Sequence, residues 1–216
     1  MPMMVHEKDY RQQNLRLLRQ LFFEKRRLLY LEGQLDPSYG AVYAGNDPTL
    51  PGLWATSPRA VIDQILHLDH LEIKRIGIII DSPGGLVSQY LNLYDIIQTA
   101  SSPIYTIAMG VISSAAASVL AGGTPGKRFI FASSRTMIHL PRGGAQGDDD
   151  DLEKQAKELK KTKDKYIGIL SRHTGKTPEE IEQVINRKDH WMNAIETVSF
   201  GLADKVVENF TTDVGI

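Results

Sequence analysis

The chain has 216 residues, of which 42% are hydrophobic and 24% charged, and its formal net charge is −1. That length suits one domain with an appendage and can bury a sizeable core; the apolar content excludes wholesale disorder, and the near-neutral balance gives no electrostatic reason to expect nucleic acid or an acidic membrane as partner. There is no cysteine, which removes disulfides, thiolate metal sites and a cysteine nucleophile. The opening MPMMVHEKDY lacks the basic start and apolar centre of a signal peptide, and no apolar run approaches the ~18–20 residues of a membrane span. The expectation is a soluble, cytoplasmic protein.

Residues 1–25 read as a polar segment followed by a short helix, with Leu15, Leu18, Leu21 and Phe22 on one stripe. Leu28 to Leu31 reads as a strand. Residues of about 40–56 form a Pro/Gly-rich insertion, long for a compact domain and therefore functional or mobile. Its apolar members Tyr43, Leu50, Leu53 and Trp54 suggest a packed or partner-contacting decoration. Ser57-Pro58 opens a helix that buries Val61, Ile65 and Leu68. Ile76 to Ile80 is a β-branched strand ended by Asp81-Ser82-Pro83-Gly84-Gly85, and a helix bearing Leu91, Tyr94 and Ile97 follows.

The strand Ile104 to Met109 leads through Gly110 to a helix of small residues, Ser114 to Ala121. Two short strands follow, near Arg128–Phe131 and Arg135–Leu140. This alternation of strand and helix predicts a mainly parallel sheet with right-handed crossovers. Leu152, Ala156, Leu159, Lys163, Tyr166 and Leu170 mark the seam of a long helix that is intensely charged elsewhere. Such a helix cannot sit inside a core; it must project or pack along a partner. Thr177-Pro178-Glu179-Glu180 then starts another helix with a capping box.

Three segments have the composition of a site. Ser82-Pro83-Gly84-Gly85 follows a buried strand, where open parallel sheets bind ligands and where bare backbone N–H groups can approach them. An ordinary strand-to-helix turn has the same composition. In Gly110 to Ala117 a serine opens a helix, so its surroundings favour a developing oxyanion. Capping is the commoner role for Ser113 or Ser114, and without G-x-S-x-G the nucleophile elbow of α/β-hydrolases has no support. His139 ends an apolar strand, where histidines are more often core residues than bases. The helix-opening serine from an adjacent strand end argues for a base, and Asp189 is available to orient the imidazole. The alternative for Asp189 is a surface carboxylate paired with Lys188 or Arg187.

Weaker signals do not survive. His67 and His70 lack a third metal ligand. The acidic run Asp148–Asp151 suits a helix N-terminus without any cation. Gly123 to Arg128 lacks the spacing and hydroxyl of a phosphate loop. No metal and no cofactor are expected.

Taken in order, Asp81 to Gly85, Gly110 to Ala115, Gly126-Lys127-Arg128, Ser134 to Pro141 with Gly143-Gly144, His173-Thr174-Gly175 and Gly201 to Asp204 resemble the ClpP family, the proteolytic subunits of Clp ATP-dependent proteases. The resemblance runs from about Arg26 to about Glu208. It implies an α/β, crotonase-like spiral of βαβ units within residues 26–216, with a protruding handle helix over about 142–172. It also implies a homo-oligomer of two stacked heptameric rings, polypeptide substrates and a partner AAA+ unfoldase. By the resemblance Ser114 matches the nucleophile, His139 the general base and Asp189 its orienter. Gly85 and Ala115 match the oxyanion donors, while Val87, Gly143 and Gly144 lie on the segments flanking the substrate. The chain departs from the family in the extra hydroxyl of Ser113, in Lys188 where arginine is usual, in the four aspartates after Gly147 and in the insertion. The expected function is a serine endopeptidase; the alternative is a catalytically silent ring subunit. An acyl-CoA enzyme of the wider fold class fits the serine–histidine pair poorly.

Overall fold

The computed structural model describes residues 25–32, 57–144, 146–186 and 188–215. The expected helix near residues 14–22 and the insertion lie outside them.

Four parallel pairings build the sheet, in the order β1 (Leu28–Glu32), β2 (Ile76–Ser82), β3 (Ile104–Ser113), β4 (Arg128–Phe131), β7 (Lys205–Val207). Ile76, Ile78 and Ile80 are fully buried on β2, as the near-continuous apolar run of a strand covered on both faces requires. Helices α1 (Pro58–Leu71), α2 (Val87–Thr99) and α3 (Ala115–Ala121) supply the connections. Ser57 caps α1 with Pro58 at its first position, as the sequence predicts.

The strand expected to end at Met109 continues to Ser113. Glycine reads as a break, but Gly110 here is a bend within the strand. Its φ is +83°, and a Cβ would stand 2.5 Å from Asp81 Oδ1, so no other residue fits without displacing that carboxylate. The same oxygen accepts from Val111 N at 3.0 Å. Beyond the bend β3 changes partner. Residues Thr106–Ala108 pair with β4, whereas Val111–Ser113 pair in parallel with β5 (Arg135–Ile138). β5 in turn holds β6 (His190–Asn193) antiparallel. The carboxyl ends of β2, β3 and β5 are thereby gathered at one place.

The long helix α4 (Asp149–Thr174) has 26 residues, about 39 Å at 1.5 Å per residue. Asp148 caps it by accepting from Asp151 N at 3.0 Å, and Asp149–Asp151 face the positive end of its dipole. The seam divides in two. Tyr166 and Leu170 are buried within the chain, while Leu152 and Leu159 are 40% and 36% exposed. Helices α5 (Pro178–Ile185), α6 (Ala194–Phe200) and α7 (Phe210–Val214) complete the described chain. No helix among the described residues is long and apolar enough to cross a membrane.

Helix α3 lies between two apolar clusters. Ala116, Val119 and Leu120 join the one built on β1–β3, α1 and α2; Ala117 and Ala121 join Ile138, Tyr166, Leu170, Ile181 and Leu202. All seven α3 residues are buried, and small side chains let both layers close on them. A mostly buried ion pair fastens β4 to the α6–β7 turn. Arg128 Nε and Nη2 reach Asp204 Oδ2 and Oδ1 at 3.0 and 2.5 Å. Arg128 Nη1 donates to the carbonyls of Gly201 and His173 at 2.8 and 3.3 Å.

Candidate active site

Ser114 stands between the end of β3 and the start of α3 with φ 56° and ψ −127°, a conformation that a residue with a Cβ holds only when its surroundings impose it. Its amide donates to Met137 O at 2.8 Å. Its carbonyl accepts from the Tyr166 hydroxyl at 2.9 Å. Although it occupies the N-cap position, its side chain makes no capping bond; Oγ lies 2.7 Å from His139 Nε2 instead. Ser113 is the last residue of β3 and is 3% exposed.

G-x-S-x-G is absent, yet the turn is of the same strained strand-to-helix kind. The room for it comes from another segment. Gly84, at φ +90°, lies so close that a Cβ there would meet Ser113 O at 2.7 Å and Ser114 Cβ at 2.9 Å. Ala115 N would be 3.1 Å away. The Gly84-Gly85 backbone is therefore applied directly to the opening of α3, where the Ala115 N–H has no intrahelical partner. Ser82 Oγ shapes this loop, accepting from Gly84 N at 3.2 Å and contacting Tyr90 Oη at 2.7 Å.

His139 follows β5 immediately, with its side chain 14% exposed. Burial, then the charge of Arg142, pushes its pKa below the ordinary imidazole value, against the opposing pull of Asp189. The ring is therefore neutral at pH 7, as a base must be. With the ring proton on Nδ1, Ser114 Oγ–H donates to Nε2. Among the described residues Nδ1 is buried without a hydrogen-bond partner, and Asp189 Oδ1 stands 3.7 Å away, too far for a hydrogen bond. Asp189 is held by Arg142 Nη2 at 2.5 Å. The cation on this carboxylate thus comes from the segment after β5.

Val87 is the first residue of α2 and packs partly against the core; its N–H, an orphan of the first helical turn, is the group it offers a ligand. Gly143 and Gly144 are exposed and follow His139 outside any helix or strand. A Cβ at Gly143 would make only ordinary contact with Leu159 at 3.5 Å, and at Gly144 it would meet nothing within 4 Å. Neither packing nor a positive φ demands glycine at these two positions. His67 and His70 are exposed on α1, and among the described residues no group of acidic or histidine side chains is arranged to hold a metal ion.

Tyr166 was legible only as a seam residue. Its clue was polarity: a buried tyrosine needs a partner for its hydroxyl. Burial pushes that hydroxyl far above its ordinary pKa, so it remains a donor.

A family model described as Clp protease matches residues 54–210. The ATP-dependent Clp protease proteolytic subunit of Porphyromonas gingivalis is 41% identical over 146 residues, which cover 67% of this chain and 65% of that protein. The ATP-dependent Clp protease proteolytic subunit 4, chloroplastic, of Arabidopsis thaliana is 39% identical over 150 residues, covering 69% of this chain and 51% of that protein. The matched stretch thus spans between about half and two thirds of the length of these relatives.

Proposed function

The chain belongs to the Clp protease family, and from that premise we propose that it is a serine endopeptidase subunit acting on unfolded polypeptides. The observation that carries this reading is the 2.7 Å contact between Ser114 Oγ and His139 Nε2 at a strained turn opening a helix. In the proposed reaction Ser114 Oγ attacks the scissile carbonyl carbon while His139 Nε2 takes its proton. The proton then passes to the leaving amine as the C–N bond breaks. The N–H groups of Gly85 and Ala115 hold the developing oxyanion. Water, deprotonated by His139, releases the acyl group from Ser114. The bare backbone of Gly143-Gly144 suits main-chain pairing with an extended peptide, which tolerates many sequences.

Labelling with a serine-reactive fluorophosphonate tests this reading. Mass spectrometry is expected to find the adduct on Ser114; an unmodified Ser114 in folded protein would contradict it. A catalytically silent ring subunit is the second reading, favoured by the distance between Asp189 and His139 Nδ1, and the same experiment separates the two.

The proposal extends to assembly into two stacked rings, worked by an AAA+ unfoldase. It is supported by α4, whose first half is exposed among the described residues. Tyr166 lies inside the chain and cannot report on a contact between subunits. Leu152 and Leu159 can. Changing both to aspartate leaves the fold intact, because both are exposed, and places charge in the proposed contact. Sedimentation is expected to show smaller particles than the unaltered protein forms; unchanged particles would exclude α4 from the contact.

A further inference from the structure

Asp189 has two suitors. Arg142 Nη2 takes its Oδ1 at 2.5 Å, and His139 Nδ1 is left 3.7 Å from the same oxygen. In the tautomer that lets Nε2 accept from Ser114, Nδ1 carries a proton and is buried without an acceptor among the described residues. A buried donor without a partner is unfavourable. A shift of Asp189 by about 1 Å would satisfy it. What opposes the shift is an ion pair in which Arg142 is 72% and Asp189 41% exposed. The guanidinium is thus a removable competitor at the edge of the site, and its partner is the residue expected to orient the base.

The geometry points to Arg142 as a positioning residue that draws Asp189 away from His139 and holds the site below its full rate. This inference rests on the serine peptidase reading and deepens it. The imidazole is acted on by Arg142, from the segment after β5, and by Asp189, from the turn before β6. From the turn before α3 it meets the Ser114 hydroxyl. From α4 the Tyr166 hydroxyl reaches the Ser114 carbonyl and stays protonated. Removing Arg142 has two consequences of the same sign. A repelling cation leaves the imidazole, and an attracting carboxylate is freed to approach it. Both raise the pKa of His139. Because the base must be neutral, the acid limb of the rate profile then moves to higher pH.

The test compares the unaltered protein with Arg142→Leu, Arg142→Gln and Arg142→Lys in full-length chains. The fluorophosphonate labelling rate at Ser114 is measured at pH 8, together with the pH dependence of kcat/KM on a neutral peptide. An exposed ion pair is worth at most about 1 kcal/mol, so the two neutral variants are expected to react about two- to fivefold faster. Their acid limbs move up in pH, while Arg142→Lys stays near the unaltered protein. A rate that is unchanged or lower in both neutral variants, or an acid limb that stays in place, overturns the inference while leaving the peptidase reading intact. Failure of the unaltered protein to label at Ser114 would remove both.

Discussion

Ser114→Ala is expected to lower peptide cleavage by on the order of 10⁴- to 10⁶-fold, with particle size and circular dichroism unchanged. Only the hydroxyl is lost; the Cβ and the bonds to Met137 O and Tyr166 Oη are made by groups that alanine keeps. Alanine at φ 56° is as strained as serine, so the fold should feel little difference. Ser113→Ala is the control. Its side chain sits at the end of β3, 3% exposed, and its loss is expected to alter cleavage less than threefold or so, as for a residue outside the reacting group. The reverse result, with Ser113→Ala inactive and Ser114→Ala active, would show that the nucleophile is one residue earlier.

Asp204→Ala is expected to cost about 3–5 kcal/mol of stability, because it leaves the Arg128 guanidinium mostly buried without its counter-charge. Burial alone would push the Asp204 carboxyl up, but its hydrogen bonds with Arg128 outweigh burial and hold it below the usual carboxylate range. A depressed carboxylate contributes stability that is full above its unfolded value near ~3.9 and is lost as pH falls through the folded value. Thermal denaturation at pH 7 should therefore show a large drop in Tm for the variant, and the gap between variant and unaltered protein should close as pH falls below about 4. A variant as stable as the parent at pH 7 would show that the pair contributes nothing. Arg128→Met combined with Asp204→Leu should cost less than the two single changes added together, since neither charge is then left alone.

The fold was most legible where composition is locally decisive. The isoleucine run of β2, the serine-proline start of α1 and the capping box of α5 are found where the sequence places them. The sequence also supplies the serine and histidine of the site, because a serine before a small-residue helix and a histidine at a strand end are local patterns. What could not be read is what depends on distant partners. Gly110 looks like a stop, and only its closeness to Asp81 reveals a bend within β3. The strand β6 is four residues with no strong periodicity, and it exists because β5 offers an edge. Asp189 reads as the orienter of His139, with its chain neighbours Arg187 and Lys188 as the alternative partners; among the described residues it pairs with Arg142, 47 residues away, brought near because β5 and β6 are antiparallel.

The backbone at Ser114 also bears on how such sequences change over time. A residue with a Cβ at φ 56° and ψ −127° raises the energy of the fold by about 1–3 kcal/mol. Glycine would remove most of that strain. If Ser114 is the nucleophile, as proposed, a single change to glycine yields a more stable, inert chain, and a lineage released from the need to cut peptides would slide toward inertness with no loss of folding to slow it. A catalytically silent form built on this turn would need no special origin; it would lie downhill from the working form.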